Sequence, residues 1–155
     1  MAATTDAAAI PAERELTITR VLDAPRSLVF KVWTQPEHMV RWLGPKGFTA
    51  PSCKLDVRPG GAWRACIRSA EGVDHWMRGV YREVAPPERL VFTFAWEEGG
   101  QPGHETLVTV TFAEQDGRTR LTFHQAAFES VESRDSHRGG WSETFDRLED
   151  YLARL

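Results

Sequence analysis

The order of apolar and polar residues near the start of the chain predicts one strand followed by two short helices. Residues 15–22 are rich in β-branched side chains, which is typical of a strand. Residues 25–34 begin with a proline and carry apolar residues at helical spacing, so they predict a helix. Thr34 and Glu37 have the spacing of a capping box, which predicts a second short helix over residues 36–43.

Between residues 49 and 128 the pattern changes to runs of alternating residues separated by turns rich in glycine and proline. Runs at hairpin spacing predict an antiparallel sheet in which consecutive strands are neighbours. One face of this sheet is heavy in aromatic residues. The predicted strands are residues 49–57, 61–69, 74–84, 88–96, 105–113 and 118–128.

In the last segment, large apolar residues recur with the period of an α-helix and form a single stripe, while acidic residues occupy the other sides. The stripe consists of Trp141, Phe145, Leu148, Leu152 and Leu155. A curved sheet with one aromatic face needs a cover, and this helix is the long element available, which predicts an α+β fold. Because one helix fills only part of a curved sheet, we expect an apolar gap of the kind in which small-molecule sites are found.

The two cysteines, Cys53 and Cys66, fall on strands that are predicted to pair. A three-residue loop over residues 59–61 keeps apolar residues on one face and places Cys53 opposite Ile67. The thiols then lie on opposite faces of the sheet. We therefore expect two free thiols and no disulfide.

Composition and charge narrow the function. The chain has 155 residues, of which 41% are hydrophobic and 26% charged, with a net charge of −3. There is no basic excess for phosphates, so we expect no nucleic-acid partner, and the apolar runs are too short to span a membrane. The first residues lack the pattern of a secretory signal, which favours a cytoplasmic protein. We expect a disordered tail over residues 1–14 and a single domain over residues 15–155.

The sequence contains no catalytic or metal-binding motif. It has no nucleophile elbow, no phosphate-binding glycine loop and no zinc-protease signature, and its five histidines are scattered. We therefore predict no catalytic set, no metal and no cofactor.

Four segments carry a resemblance to a known family: residues 24–45, 55–64, 79–94 and 139–152. They resemble, in the same order, the homologues of the activator of heat-shock-protein ATPase, a family of the START-like (SRPBCC) superfamily. The resemblance implies the helix-grip fold, in which a sheet grips a long C-terminal helix over an elongated apolar cavity. The superfamily includes lipid binders, hormone receptors, polyketide cyclases and co-chaperone domains.

The resemblance raises one question about the last helix. Gly139 and Gly140 precede its first large apolar residue. If the helix begins before Gly139, the glycines cross the cavity mouth and act as a gate. Alternatively they mark the boundary of the helix, and Ser136 caps a separate turn upstream.

Strand alternation and the resemblance together indicate which residues face the cavity. Two polar residues among them, His75 and Gln125, are candidates to orient a ligand, or alternatively bond to backbone or water. The predicted cavity residues are Phe48, Trp63, Ile67, His75, Met77, Tyr81, Phe92, Phe94, Trp96, Val110, Phe112, Phe123, Gln125, Trp141 and Phe145.

Three functions remain open from the sequence. The first is a binding protein for a small apolar, amphipathic or lipid-like molecule. The second is a protein-interaction module with a protein partner, as in the co-chaperone that names the family. The third is an enzyme of the polyketide-cyclase type, which needs an inward acid–base pair, for which His75 and Gln125 are the candidates.

Overall fold

The computed structural model describes residues 12–155, which form a sheet of eight strands and three α-helices. The helices are α1 (Arg26–Thr34), α2 (Pro36–Met39) and α3 (Val131–Ala153). The strands are β1 (Glu15–Leu22), β2 (Thr49–Leu55), β3 (Ala62–Arg68), β4 (Asp74–Ala85), β5 (Arg89–Glu98), β6 (Gln101–Pro102), β7 (Thr106–Gln115) and β8 (Arg118–Ala126). The predicted order of elements is confirmed.

The predicted disordered tail, residues 1–14, can be compared with the structure only at residues 12–14. Residues 1–11 of the predicted tail lie outside the described residues. Residues Ala12–Arg14, which were also expected to be disordered, form a short 3₁₀ turn directly before β1. The Phe128 N–H donates a hydrogen bond to the Arg14 carbonyl, which ties this turn to the segment after β8.

The sheet is antiparallel, with the strand order β1-β8-β7-β5-β4-β3-β2, and the two-residue β6 pairs with the end of β5. The six long strands after α2 are neighbours in chain order, as the turn pattern predicted. β1 is the exception, because it pairs along its whole length with β8, from Glu15 opposite Ala126 to Leu22 opposite Thr119. The first and the last strand of the chain are therefore neighbours in the sheet.

The core lies between the concave face of the sheet and the helices. α3 buries one stripe against the sheet, and α1 buries Val29, Val32 and Trp33. The predicted alternation is confirmed in β7, where Val108, Val110 and Phe112 are buried. This is the α+β, helix-grip architecture that the sequence predicted.

The register of the β2–β3 hairpin differs from the prediction. Cys53 lies opposite Ala65 rather than Ile67, because the loop spans residues 56–61 instead of 59–61. The longer loop is stabilised by β4: the Tyr81 N–H donates to the carbonyl of Gly61, and a Cβ on Gly61 would lie 1.9 Å from a backbone oxygen. The shift is two residues, so the side chains keep their faces. Both thiols are free, as predicted.

The capping box predicted for α2 is absent. Gln35 occupies the N-cap position, and the Thr34 hydroxyl donates to the Phe30 carbonyl at 2.9 Å instead of capping. Thr34 is the last residue of α1, where its hydroxyl reaches the preceding turn. The helix also ends at Met39, earlier than expected.

α3 starts well before the glycine pair. Ser130 is its N-cap, and its hydroxyl accepts a hydrogen bond from the Ser133 N–H at 3.0 Å. Gly139 and Gly140 therefore lie inside the helix, and the alternative boundary capped by Ser136 is wrong. Leu155, which was predicted to continue the buried stripe, lies beyond the helix end and is exposed.

Candidate functional site

A cavity of about 270 Å³ lies between α3, the strands β3 to β5, and the segment 43–48 that links α2 to β2. Its wall is formed mainly by apolar and aromatic side chains. The lining residues are Leu43, Gly44, Pro45, Phe48, Ile67, His75, Met77, Phe94, Trp96, Ser136, His137, Gly140, Trp141 and Thr144. His75 and Ser136 are exposed, which places the mouth of the cavity beside them.

The aromatic part of the wall is a connected set of rings. Phe94 packs edge-on against Trp96 with ring centroids 5.4 Å apart, and against Trp141 at 6.0 Å. At the mouth, the His75 ring lies 6.2 Å from Phe48 and 6.3 Å from Trp96. Such contacts hold rings in preferred orientations. The rings of the wall therefore hold one another in fixed orientations.

His137 connects α3 to β5 in the cavity wall. Its Nδ1 lies 2.7 Å from the Ser133 carbonyl, and its Nε2 accepts a hydrogen bond from the Trp96 indole N–H at 2.9 Å. The two partners require a neutral ring with the proton on Nδ1. Burial lowers the pKa of His137, while the hydrogen bond to Ser133 opposes this. Both ring nitrogens are occupied, so His137 closes the wall and offers a ligand no free hydrogen bond.

Gln125 lies behind the cavity, in a buried polar chain. Its amide oxygen accepts from the Trp141 indole N–H at 2.8 Å, and its amide nitrogen donates to the Thr106 hydroxyl at 2.9 Å. That hydroxyl donates to the Phe94 carbonyl. The chain links β8, β7 and β5 to α3 and fixes the orientation of Trp141. Gln125 is fully buried and does not line the cavity, so it is not placed to anchor a ligand.

The segment 43–48 is fastened to α3 by two residues. The Arg147 guanidinium donates to the carbonyls of Leu43, Gly44 and Pro45, at 3.1, 2.8 and 3.3 Å. The Lys46 N–H donates to the Glu143 carboxylate at 3.0 Å. These contacts hold Pro45 against the helix at Gly140, where a Cβ would lie 3.7 Å from the proline ring.

A smaller chamber of about 30 Å³ lies deeper between the sheet and α1. We call it the inner chamber, and the larger space the outer cavity. Leu43, Met77, Phe94 and Trp141 belong to the walls of both. The other residues of the inner chamber are Trp33, Met39, Trp42, Leu55, Trp63, Tyr81, Leu90 and Phe92.

Most of the predicted cavity residues lie in one of these two walls. The outer cavity contains Phe48, Ile67, His75, Met77, Phe94, Trp96, Trp141 and Gly140. The inner chamber adds Trp63, Tyr81 and Phe92.

Five predicted residues lie elsewhere, and one of the predicted gate residues does not line the cavity. Val110, Phe112, Phe123, Gln125 and Phe145 are fully or almost fully buried in the closed core. Strand alternation placed the first four correctly on the inward face, and the helical stripe did so for Phe145, but α1 and α3 fill the space over that end of the sheet. Gly139 is exposed, and a Cβ there would meet nothing within 4 Å.

Sequence reasoning missed two groups of lining residues. Ser136, His137 and Thr144 were missed because the cavity residues of the last helix were taken from its stripe of large apolar residues, although their helical spacing from Trp141 was readable. Leu43, Gly44 and Pro45 were treated only as the end of a helix.

The described residues contain no group of three or more histidine, cysteine, aspartate or glutamate side chains that could hold a metal ion. No helix of residues 12–155 is long and apolar enough to cross a bilayer.

An antiparallel sheet gripping a long C-terminal helix over an apolar cavity defines a helix-grip protein of the START-like class. The sequence model described as "Activator of Hsp90 ATPase homolog 1-like protein" matches residues 23–153. The chain belongs to this family.

Solved structures agree with the family. A crystal structure of a protein from Nitrosomonas europaea is 28% identical, with a TM-score of 0.81 over 94% of this chain and 97% of the other. One from Chromobacterium violaceum is also 28% identical, with a TM-score of 0.78 over 88% and 95%. An AHSA1 protein from Silicibacter pomeroyi, 24% identical over 90% and 97%, has the same fold with a TM-score of 0.81. No curated protein matches the chain.

Proposed function

We propose that the protein binds a small apolar or amphipathic molecule in the outer cavity and does not transform it. The observation that carries this proposal is an open, aromatic-walled cavity of about 270 Å³. An engineered apolar cavity of about 150 Å³ binds benzene, so this volume suits a molecule of about two fused rings. The cytoplasmic location favoured by the sequence remains a prediction.

The chemistry of the wall supports binding over catalysis. The lining residues include no carboxylate, and their two histidines differ in exposure and in hydrogen bonding. His137 uses both nitrogens within the protein, and His75 lies at the exposed mouth. The acid–base pair that a cyclase would need is not assembled, because Gln125 lies behind the wall and bonds to Trp141 and Thr106.

Two substitutions at adjacent positions of the same helix test the proposal. Gly140→Leu adds a side chain beside Pro45 in the cavity wall, whereas Gly139→Leu adds the same side chain at an exposed position. Both remove a glycine from a helix interior, so their effects on helix propensity match. Binding of two-ring aromatic probes, measured by isothermal titration calorimetry, should weaken about tenfold or more in Gly140→Leu and change less than about twofold in Gly139→Leu.

Equal binding by both variants would place the probe elsewhere on the protein. No binding by the unmodified protein, in calorimetry and in native mass spectrometry, would overturn the proposal. The family description supports one alternative, a protein partner. Stimulation of a heat-shock ATPase by the Gly140→Leu variant, equal to that of the unmodified protein, would support that alternative.

A further inference from the structure

One residue in the wall of the inner chamber has a buried hydrogen-bond donor without an acceptor. The indole of Trp33 forms part of the chamber wall, and the residue is only 2% exposed. Within residues 12–155, no atom accepts a hydrogen bond from its Nε1–H. Buried polar groups almost always have a partner, so an exception calls for a physical explanation.

The other tryptophans of the interior show that this chain normally provides such partners. Trp42 donates to the Val32 carbonyl at 3.2 Å, and Trp63 to the Thr93 carbonyl at 3.1 Å. In the wall of the outer cavity, Trp96 donates to His137 and Trp141 donates to Gln125. Trp33 is the exception among these residues, because its Nε1–H has no acceptor within the described chain, and three aromatic rings lie close to its own. Trp42, Phe112 and Phe145 lie 4.9, 6.1 and 6.1 Å from it, centroid to centroid.

The size of the inner chamber limits what could supply the acceptor. About 30 Å³ admits an oxygen atom and the carbon that carries it, but not a second aromatic ring. A single water molecule would also fit, so a ligand that reaches Trp33 must do so with a small group at the end of a longer molecule.

Met77 is in the position to admit such a group. It belongs to the walls of both spaces and is 3% exposed. A methionine side chain is unbranched and has three rotatable bonds, so it adapts its shape to a neighbour more easily than Phe94 or Trp141. Of the residues shared by the two walls, Met77 is therefore the one that we assign to the passage between the outer cavity and the inner chamber.

We propose that the ligand is an elongated apolar molecule whose inner end is a carbonyl-type hydrogen-bond acceptor. Its apolar body occupies the outer cavity, its end passes Met77, and its oxygen accepts the hydrogen bond from Trp33 Nε1–H. The inference rests on the proposed binding function, which it refines by naming the class of ligand. It also assigns Trp33 and Met77 as the residues that determine specificity.

A pair of isosteric probes tests this assignment. 2-Acetylnaphthalene carries a carbonyl where 2-isopropenylnaphthalene carries a carbon–carbon double bond, so the two differ mainly in the acceptor. The ketone should bind the unmodified protein about five- to tenfold more tightly, as expected for one added hydrogen bond. In Trp33→Phe this preference should disappear, while the affinity for the alkene changes less than about twofold. Met77→Phe should also abolish the preference, because a rigid ring blocks the passage, whereas Met77→Leu should retain it.

A measurement on the unmodified protein keeps the test valid if Trp33→Phe does not fold. In ¹H–¹⁵N NMR spectra, the indole N–H of Trp33 should shift downfield on addition of the ketone and not of the alkene. Equal affinities for the two probes, a preference that survives in Trp33→Phe, or a Trp33 signal that does not respond would each overturn this inference alone. If neither probe binds, the proposed function fails as well.

Discussion

Gly139 and Gly140 are adjacent in the middle of α3 but have different surroundings. A Cβ on Gly139 would meet nothing within 4 Å, and one on Gly140 would make an ordinary contact of 3.7 Å with Pro45. Neither position has the positive φ that requires glycine. Glycine therefore lowers the stability of the helix at both positions, although the backbone conformation requires it at neither.

We expect Gly139→Ala and Gly140→Ala each to raise the free energy of unfolding by about 0.5–1 kcal/mol, because alanine restricts the unfolded chain and favours the helix. Urea denaturation followed by circular dichroism measures both. A loss of stability in Gly140→Ala alone would mean that the contact with Pro45 is tighter than the distance indicates.

His137 couples the cavity wall to pH. Burial lowers its pKa in the folded protein below the value of about 6.5 that it has when unfolded. As pH falls below about 6.5, His137 therefore binds a proton in the unfolded chain but not in the folded protein. The free energy of unfolding decreases until the pH is below the pKa of His137 in the folded protein.

Replacing His137 with glutamine removes this titration. Thermal unfolding between pH 7 and pH 5 should show a smaller loss of stability in His137→Gln than in the unmodified protein. Equal losses in the two proteins would show that other groups cause the acid sensitivity.

At the scale of elements, the connection between α2 and β2 depends on one arginine of α3. Arg147 donates to three successive carbonyls and has no carboxylate partner among its hydrogen bonds in the described chain. Burial lowers its pKa. Its role is to hold the segment 43–48 against the helix and so to complete the wall of the outer cavity.

Arg147→Met should lower the free energy of unfolding by about 1–3 kcal/mol, because the carbonyls lose their donor. Arg134→Met is the matched control on the same helix, since its ion pair at 2.8 Å joins Arg134 to the adjacent, exposed Asp135 and not to another segment, and it should cost less than about 0.5 kcal/mol. Chemical denaturation of both variants tests this. Similar losses would show that the contacts of Arg147 add nothing beyond a surface charge.

The elements themselves were largely predictable, whereas their ends and partners were not. Runs of strand-forming residues between turn signals located every long strand, and alternation was visible in β5, β7 and β8, because burial of one face imposes a period of two. The β2–β3 register was shifted by two residues because the loop is stabilised by hydrogen bonds to Tyr81, a partner on another strand. The start of α3 was left between two alternatives because the glycines are equally compatible with a boundary and with a helix interior.

The site was predictable in composition more than in position. Alternation separates inward from outward residues, and it correctly placed Phe94 and Phe123 on the same side. It contains no information about where the helices fill the concave face, and so it did not separate Phe94, in the cavity wall, from Phe123, in the closed core. The polar partner of Gln125 was not predictable for the same reason, since Trp141 approaches it from the opposite layer.

At the scale of the whole molecule, the two layers are joined by the buried chain from Trp141 through Gln125 to Thr106. Gln125→Leu would leave the Trp141 N–H without an acceptor in the core, which should cost about 1–3 kcal/mol of unfolding free energy. Trp141→Phe alone replaces a large buried side chain with a smaller one and should also lower the free energy of unfolding.

The double variant distinguishes the hydrogen bond from simple packing. In Gln125→Leu/Trp141→Phe neither polar group is orphaned, so its loss of stability should be smaller than the sum of the single losses by about 0.5–3 kcal/mol. Denaturation curves of the four proteins form the cycle. Strict additivity would mean that the two side chains do not interact energetically.

The pairing of β1 with β8 affects how the chain can fold as it is synthesised. Residue 22 ends a strand whose partner is not complete until residue 126, so roughly 5–20 s of translation separate the two. During that time β1 exposes its backbone donors and acceptors without its neighbour, and the strands from β2 to β7 can pair without it. The pairing of β1 with β8 brings together the two ends of the domain, and a chain released from a ribosome that stalls before residue 118 lacks the strand to which β1 pairs.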